Sequence, residues 1–285
     1  MPADGSGQES SVLDDMGRLV AVEGAPQRVV SLVSGWTEVL VGLGLTDRLA
    51  GATSHDGAAP AEVRRVGSTT DVDLAAVLAL APDLVLAGGG EHDQLVTDLD
   101  RAGIPVFALR LDDLGGVARA VRVIGQLVGR QEAAAQWAAD LARRLAAVVQ
   151  SVRRVPLSGR PVVLGLLWDD PLVAAGVGSW LHRLLVAAGA TNALGAGGVT
   201  PVVRCDVAAA AAANPDMVVC ADQPTHELVT RAREWAQLRA VRRGRVHPLA
   251  MAGWRAGPSL LDGLEHLVRM IHPSLFPSDE PVPGR

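Results

Sequence analysis

The chain has 285 residues, 49% of them hydrophobic, and a formal net charge of −5, enough for one or two globular domains with a sizeable core. The acidic balance argues against a nucleic-acid partner, which needs a basic patch, and no apolar run approaches the roughly 20 residues of a membrane span. All 26 basic residues are arginine and tyrosine is absent, which removes Schiff-base and P-loop lysine chemistry and a phenolate iron ligand.

Met1 to Ser11 is polar and acidic and lacks the charged start, apolar run and small-residue cleavage site of a secretory signal. This predicts a cytoplasmic protein; an extracytoplasmic one whose leader has been trimmed is the alternative. Val12–Val22 reads as a β-hairpin and Arg28–Val33 as a strand. A turn and helix start come next at Ser34–Glu38, then a short strand at Leu49–Ala52 running into Thr53-Ser54-His55-Asp56. A helix near Gln94–Ala102 and a strand at Val106–Leu109 continue the alternation, so a parallel sheet with helices on both faces is expected.

From Leu114 to Val152 the rhythm changes. No proline interrupts a stripe of apolar residues at three- and four-residue spacing. As one helix it would run about 55 Å at ~1.5 Å per residue, with Gly125 and Gly129 as points of bending, and its length suits a rod between two lobes. The second α/β lobe starts at Pro161–Leu167. It continues through Leu172–Ala175, a helix at Ser179–Ala188, a strand at Arg245–Leu249 and a helix at Pro258–Ile271, ending in a proline-rich tail.

One unit occurs twice. Asp73-Leu-Ala-Ala-Val-Leu-Ala-Leu-Ala-Pro82-Asp83-Leu-Val-Leu returns as Asp206-Val-Ala-Ala-Ala-Ala-Ala-Ala-Asn-Pro215-Asp216-Met-Val-Val. Each copy reads as a helix capped by its first aspartate, a stop at Pro and a strand buried on both faces. The domain organisation expected is an N-terminal tail and hairpin (1–25), an α/β lobe (26–113), a connecting helix (114–153) and a second α/β lobe (154–285). A ligand cleft is expected between the lobes.

In order along the chain, several segments resemble the cobalamin- and iron-siderophore-binding periplasmic receptors, the class III substrate-binding proteins or helical-backbone metal receptors. They are Val12–Val20, Pro26–Leu32 with Thr37-Glu38, Val66-Gly67-Ser68, both Pro-Asp units, Arg255-Ala-Gly-Pro258, Leu261–Glu265 and Ile271-His-Pro273. The resemblance covers nearly the whole chain and implies two Rossmann-like lobes, one long backbone helix and a ligand held between them. It also implies docking on a membrane permease through one glutamate per lobe. By spacing to the Pro-Asp landmarks those positions are Ala75 and Ala208, which makes docking doubtful.

Ligands of open α/β sheets lie beyond the carboxyl ends of the strands, which selects Trp36, His55, Ser68, Gly88, Gly89, Trp168, Asp169, Asp170, Trp180, Asp222, Trp254 and Arg255 as ligand-binding candidates. Four of the six tryptophans fall in this set, and their faces suit a flat or macrocyclic ligand. The competing role for each is a lid on local core. His55 stands where the cobalamin receptor has a ligand-contacting aromatic residue, and an imidazole is a good axial ligand for the metal of a corrinoid or haem; a backbone-bonded loop histidine is the alternative. His92 is a weaker candidate. No His/Cys/carboxylate cluster suggests a bare metal ion, Cys205 and Cys220 read as small core residues, and no catalytic set emerges.

The expected function is therefore a soluble binding protein for a metal-chelate or tetrapyrrole-like ligand of the corrinoid or haem class, without an intrinsic cofactor and not coupled to an ABC importer. Two alternatives stand beside it. One is an ABC-transporter substrate-binding protein for cobalamin or a ferric siderophore; the other is an enzyme that has recruited the fold, with Asp169-Asp170 as its carboxylates.

Overall fold

The computed structural model describes residues 10–196, 198–249 and 256–275. They form two compact units. One is built from the chain up to Arg143 together with Ala256–Pro258, the other from Arg144 onward without those three residues.

The first unit opens with an antiparallel hairpin, β1 (Ser10–Leu13) and β2 (Leu19–Val22). Its turn is shaped by the buried Asp14, whose carboxylate accepts the backbone N–H groups of Met16 and Arg18 and the Arg18 guanidinium. The main sheet of this unit is parallel throughout, in the order β5-β4-β3-β6-β7. Its strands are β3 (Val29–Ser31), β4 (Leu49–Ala52), β5 (Arg64–Arg65), β6 (Leu84–Gly88) and β7 (Val106–Leu109). Helices α1 (Ser34–Gly42), α2 (Leu74–Ala79) and α3 (Asp93–Arg101) connect them. Strands β3, β6 and β7 are buried along their whole length, as expected of a parallel sheet covered on both faces.

The apolar stripe from Leu114 to Val152 is two helices rather than one rod, α4 (Gly116–Leu127) and α5 (Gln131–Val152). The backbone turns between them at Gly129, where φ is +72°, a conformation glycine adopts without steric cost. Gly125 lets the two helices meet, since a Cβ there would fall 2.0 Å from that of Ala134. The connecting helix is thus α5, 22 residues or about 33 Å long, and it carries the chain from the first unit into the second at Arg143.

The second unit holds β8 (Val162–Asp169), β9 (Leu172–Ala175), β10 (Thr191–Asn192), β11 (Val202–Arg204), β12 (Met217–Cys220) and β13 (Val246–Pro248). Its helices are α6 (Trp180–Ala187), α7 (Val207–Ala213), α8 (Gln223–Arg231), α9 (Arg239–Arg242) and α10 (Ser259–Ile271). The sheet is mixed: β8 pairs in parallel with β10 and β12, and β12 with β13, but β8 turns directly back into antiparallel β9, which pairs with antiparallel β11. The second sheet thus departs from a purely parallel arrangement, because the short reversal at Asp170-Pro171 makes a hairpin. Cys205 and Cys220 are free and sit in the core with Leu164, Val218 and Trp235. Burial, with Asp206 and Asp222 nearby, pushes their thiols up to about 11 and about 12, so both are protonated packing residues at neutral pH.

The repeated unit performs the same structural work in both places. Asp73 and Asp206 cap α2 and α7 by accepting the N–H of Ala76 and Ala209 at 3.0 and 2.7 Å. Ala81 and Asn214, each just before the proline, take left-handed φ values of 43° and 45°. Asp83 then accepts the N–H groups of Gln27 and Arg28 at the start of β3, and Asp216 accepts that of Val162 at the start of β8.

Candidate functional site

The loops at the carboxyl ends of the first unit's strands are joined by a belt of hydrogen bonds. After β3, Ser34 donates its hydroxyl at 2.8 Å to Asp56, in the turn after β4. That turn donates the Ser54 N–H to Gly67 O at 2.7 Å in the loop after β5. The same loop presents Thr69 O to His92 Nε2 at 2.8 Å, and His92 Nδ1 accepts the N–H of Gly88 at the end of β6 at 2.9 Å. An Nε2–H tautomer satisfies both bonds, so the buried His92 is a strut rather than a ligand.

Beside this belt lies an open groove of about 300 Å³. Thr69, Thr70, Asp71, Glu91 and Asp98 are among the residues that line it, Asp98 being held by Gln94 and Arg101. Such a surface favours neutral hydrogen-bond donors and cations and repels carboxylate-bearing ligands.

The candidates from the sequence fall into distinct environments. His55 is exposed in the turn after β4. Ser68 is half-buried, its Oγ accepting the Asp71 N–H at 3.0 Å. Trp36 belongs to the core: it is 2% exposed, and its indole N–H reaches Ala87 O at 3.2 Å, because the first turn of α1 faces the sheet. The glycine loop offers no free N–H to a ligand. Gly88 donates to His92, Gly89 to Leu109 O and Gly90 to Asp93 Oδ1. A Cβ on Gly89 would meet Arg110 Cγ at 2.6 Å, so glycine there serves local packing.

In the second unit Trp168, Asp169 and Asp170 are exposed at the tip of the β8–β9 hairpin, Trp168 by 40%. Trp180 opens α6 behind the Ser179 cap, with the Arg183 guanidinium 5.5 Å above its ring. It comes after an antiparallel strand, so the parallel-strand rule that selected it does not apply to it. Asp222 is a helix cap, accepting the Thr225 N–H at 2.8 Å. Trp254 and Arg255 lie outside the described residues. Ala75 and Ala208 are both exposed at matching second positions of α2 and α7. Among the described residues no group of three or more His, Cys, Asp or Glu side chains could hold a metal ion.

Sequence reasoning misses the cluster around Asp56, next to His55 in the turn. Asp56 is 3% exposed and collects the hydroxyls of Ser34 and Thr37. The Ser-x-x-Thr spacing at the start of α1 is visible in the sequence, but nothing local ties it to an aspartate beyond the next strand. Also missed is the contact of α1 with Ala256–Pro258: a Cβ on Gly35 would fall 1.7 Å from Ala256 O.

Comparison with known proteins adds relatives to this geometry. A family profile described as periplasmic binding protein matches residues 29–250. The chain is 28% identical over 265 residues to the uncharacterized ABC transporter substrate-binding lipoprotein YvrC of Bacillus subtilis, covering 90% of this chain and 83% of that one. It is 32% identical over 178 residues to a cobalamin-binding protein of Halobacterium salinarum, covering 61% of this chain and 47% of that one. Among solved structures, a periplasmic heme binding protein from Pseudomonas aeruginosa is 28% identical with a TM-score of 0.75, covering 87% of this chain and 94% of that one.

Proposed function

Because the chain belongs to the periplasmic binding protein family, matched over residues 29–250, we propose that it is the substrate-binding component of an ABC importer for a corrinoid. The observation that carries this reading is the pairing of that match with relatives named for ABC transport and for cobalamin. The cytoplasmic, importer-independent protein expected from the opening residues and from Ala75 and Ala208 finds no support among relatives named as lipoprotein and periplasmic. Those names support a protein outside the cytoplasm, and no helix of the described residues is long and apolar enough to cross a membrane.

The ligand is cargo, not a resident cofactor. In the first unit His55 would supply an imidazole to the chelated metal, with Ser68 as a polar contact; in the second unit the candidates are Trp168 and Trp180 for apolar faces and Asp169 and Asp170 for polar contacts. Corrinoid amides are neutral donors and suit the carboxylates of Asp71 and Glu91, whereas haem propionates would be repelled by them; Asp98 is already held by Arg101 and Gln94. This supports a corrinoid over haem.

Titration with aquocobalamin, hemin and a ferric siderophore tests the reading, read out by tryptophan quenching and the visible spectrum. Aquocobalamin is expected to bind most tightly; binding of none of the three overturns the ligand class. The exposed alanines at 75 and 208 favour a second reading, a corrinoid carrier that works without a permease. Failure to form a complex with the cognate permease in lipid nanodiscs, under conditions where the ligand binds, would favour it.

A further inference from the structure

The turn after β4 places an exposed histidine directly beside a buried aspartate. Asp56 Oδ1 accepts the Ser34 hydroxyl at 2.8 Å and the Ala58 N–H at 2.9 Å. Oδ2 lies 2.5 Å from Thr37 Oγ1, which is itself 2.8 Å from Ser31 Oγ. An ionised carboxylate only accepts, so Thr37 donates to it. Both hydroxyls belong to the first turn of α1, whose positive dipole end also favours the anion.

The backbone on either side of His55 is held as well. Ser54 donates its N–H to Gly67 O at 2.7 Å and Asp56 donates its own to Thr53 O at 3.2 Å. The Arg65 guanidinium reaches Thr53 O and Asp56 O at 3.3 and 3.4 Å. A buried carboxylate is tolerated only with its bonds made, so this network admits few other arrangements of the turn. The imidazole is exposed, yet the peptides that carry it are fixed.

We propose that Asp56 is a positioning residue, held by Ser34 and Thr37, that presents His55 as a pre-organised axial ligand for the metal of a chelate. The proposal rests on the role given to His55 above. Its physical content is that ordering the turn before binding removes an entropic cost that a mobile loop histidine would meet on binding. Sparing the ordering of a side chain and its turn on binding is worth up to roughly tenfold in affinity.

The test compares His55→Ala, Asp56→Asn, Thr37→Val and the double variant His55→Ala/Asp56→Asn, each checked for a cooperative thermal transition. Aquocobalamin and hemin are titrated against all of them, with affinity and the visible bands recorded. His55→Ala is expected to shift the bands and weaken binding. Asp56→Asn and Thr37→Val should each weaken it by up to roughly tenfold while the bands of the saturated complex stay those of the wild type, because His55 is still there to ligate, and the double variant should be no weaker than His55→Ala alone. If His55→Ala is impaired while folded Asp56→Asn and Thr37→Val bind like the wild type, or if the effects simply add, the positioning role falls and the role of His55 stands. If His55→Ala binds with unchanged bands, the role of His55 falls and takes the proposal with it. Thr37→Val keeps the carboxylate and nearly the same shape, so it carries the test if Asp56→Asn does not fold.

Discussion

The two units share the Asp-to-Pro-Asp unit but diverge immediately after their first central strand. In the first, β3 leads into α1, whose opening turn gathers Asp56 on one side and the returning segment Ala256–Pro258 on the other. In the second, β8 turns straight back into β9 and leaves Trp168, Asp169 and Asp170 exposed at the reversal. The shared part builds the sheets, and the divergent part sets which side chains each strand end presents. The carboxylates of the repeated unit are consumed by backbone N–H groups, whereas those at the hairpin tip face solvent.

The contrast is broken most severely at Gly35. Gly35→Ala places a methyl against the carbonyl of Ala256 and is expected to cost about 3 kcal/mol or to displace the 256–258 segment; an unchanged urea transition would show that the contact is loose. Next come the clamps. Asp83→Ala and Asp216→Ala should each destabilise by about 0.5–1.5 kcal/mol, because N–H groups leading into β3 and β8 exchange a carboxylate acceptor for water. Asp216→Ala should cost more, since Arg239 loses its ion-pair partner too. Equal losses in denaturant titration would show that the two copies are energetically the same.

A smaller effect separates the two left-handed positions. Ala81→Gly should stabilise the first unit by about 0.5–1 kcal/mol, because alanine is strained at a φ of 43°. Asn214→Gly should change little, as asparagine tolerates that conformation. A thermal melt unmoved by Ala81→Gly would argue that the strain is absorbed elsewhere.

The smallest expected difference is in pH response. Burial lowers the pKa of His182 and His247 in the second unit, with Arg183 beside the first and Arg245, His226 and His266 near the second adding to it. The unfolded chain therefore binds more protons than the folded one below about pH 6.5, and stability falls as the pH drops from there. In the first unit burial alone would raise the Asp15 carboxyl, but hydrogen bonds from Arg119 and the Arg110 N–H hold it below its ordinary 3.8. Its contribution is lost only as the pH falls below that value and through the lower folded one. Amide exchange at pH 5 and pH 7, corrected for intrinsic rates, should show the second unit loosening first; parallel loosening would remove the distinction.

The local devices are legible because their causes are local. Aspartate caps at 73 and 206, proline stops at 82 and 215 and the buried strands after them arise from side-chain reach and backbone sterics over a few residues. Gly129 reads as a bend in the sequence, but only the structure shows that it ends α4 and separates it from α5. Periodicity does not register a short break that leaves the apolar stripe in phase.

The sequence by itself determined two α/β units, their caps and their buried strands, because hydrophobic period and capping chemistry act between near neighbours. Only the tertiary structure decided that Trp36 faces the core, that the Gly88–Gly90 amides are all engaged, and that Asp56 is held by hydroxyls of α1. Those outcomes depend on which distant groups meet at the strand ends, and burial there turns polar side chains into either supports or ligands.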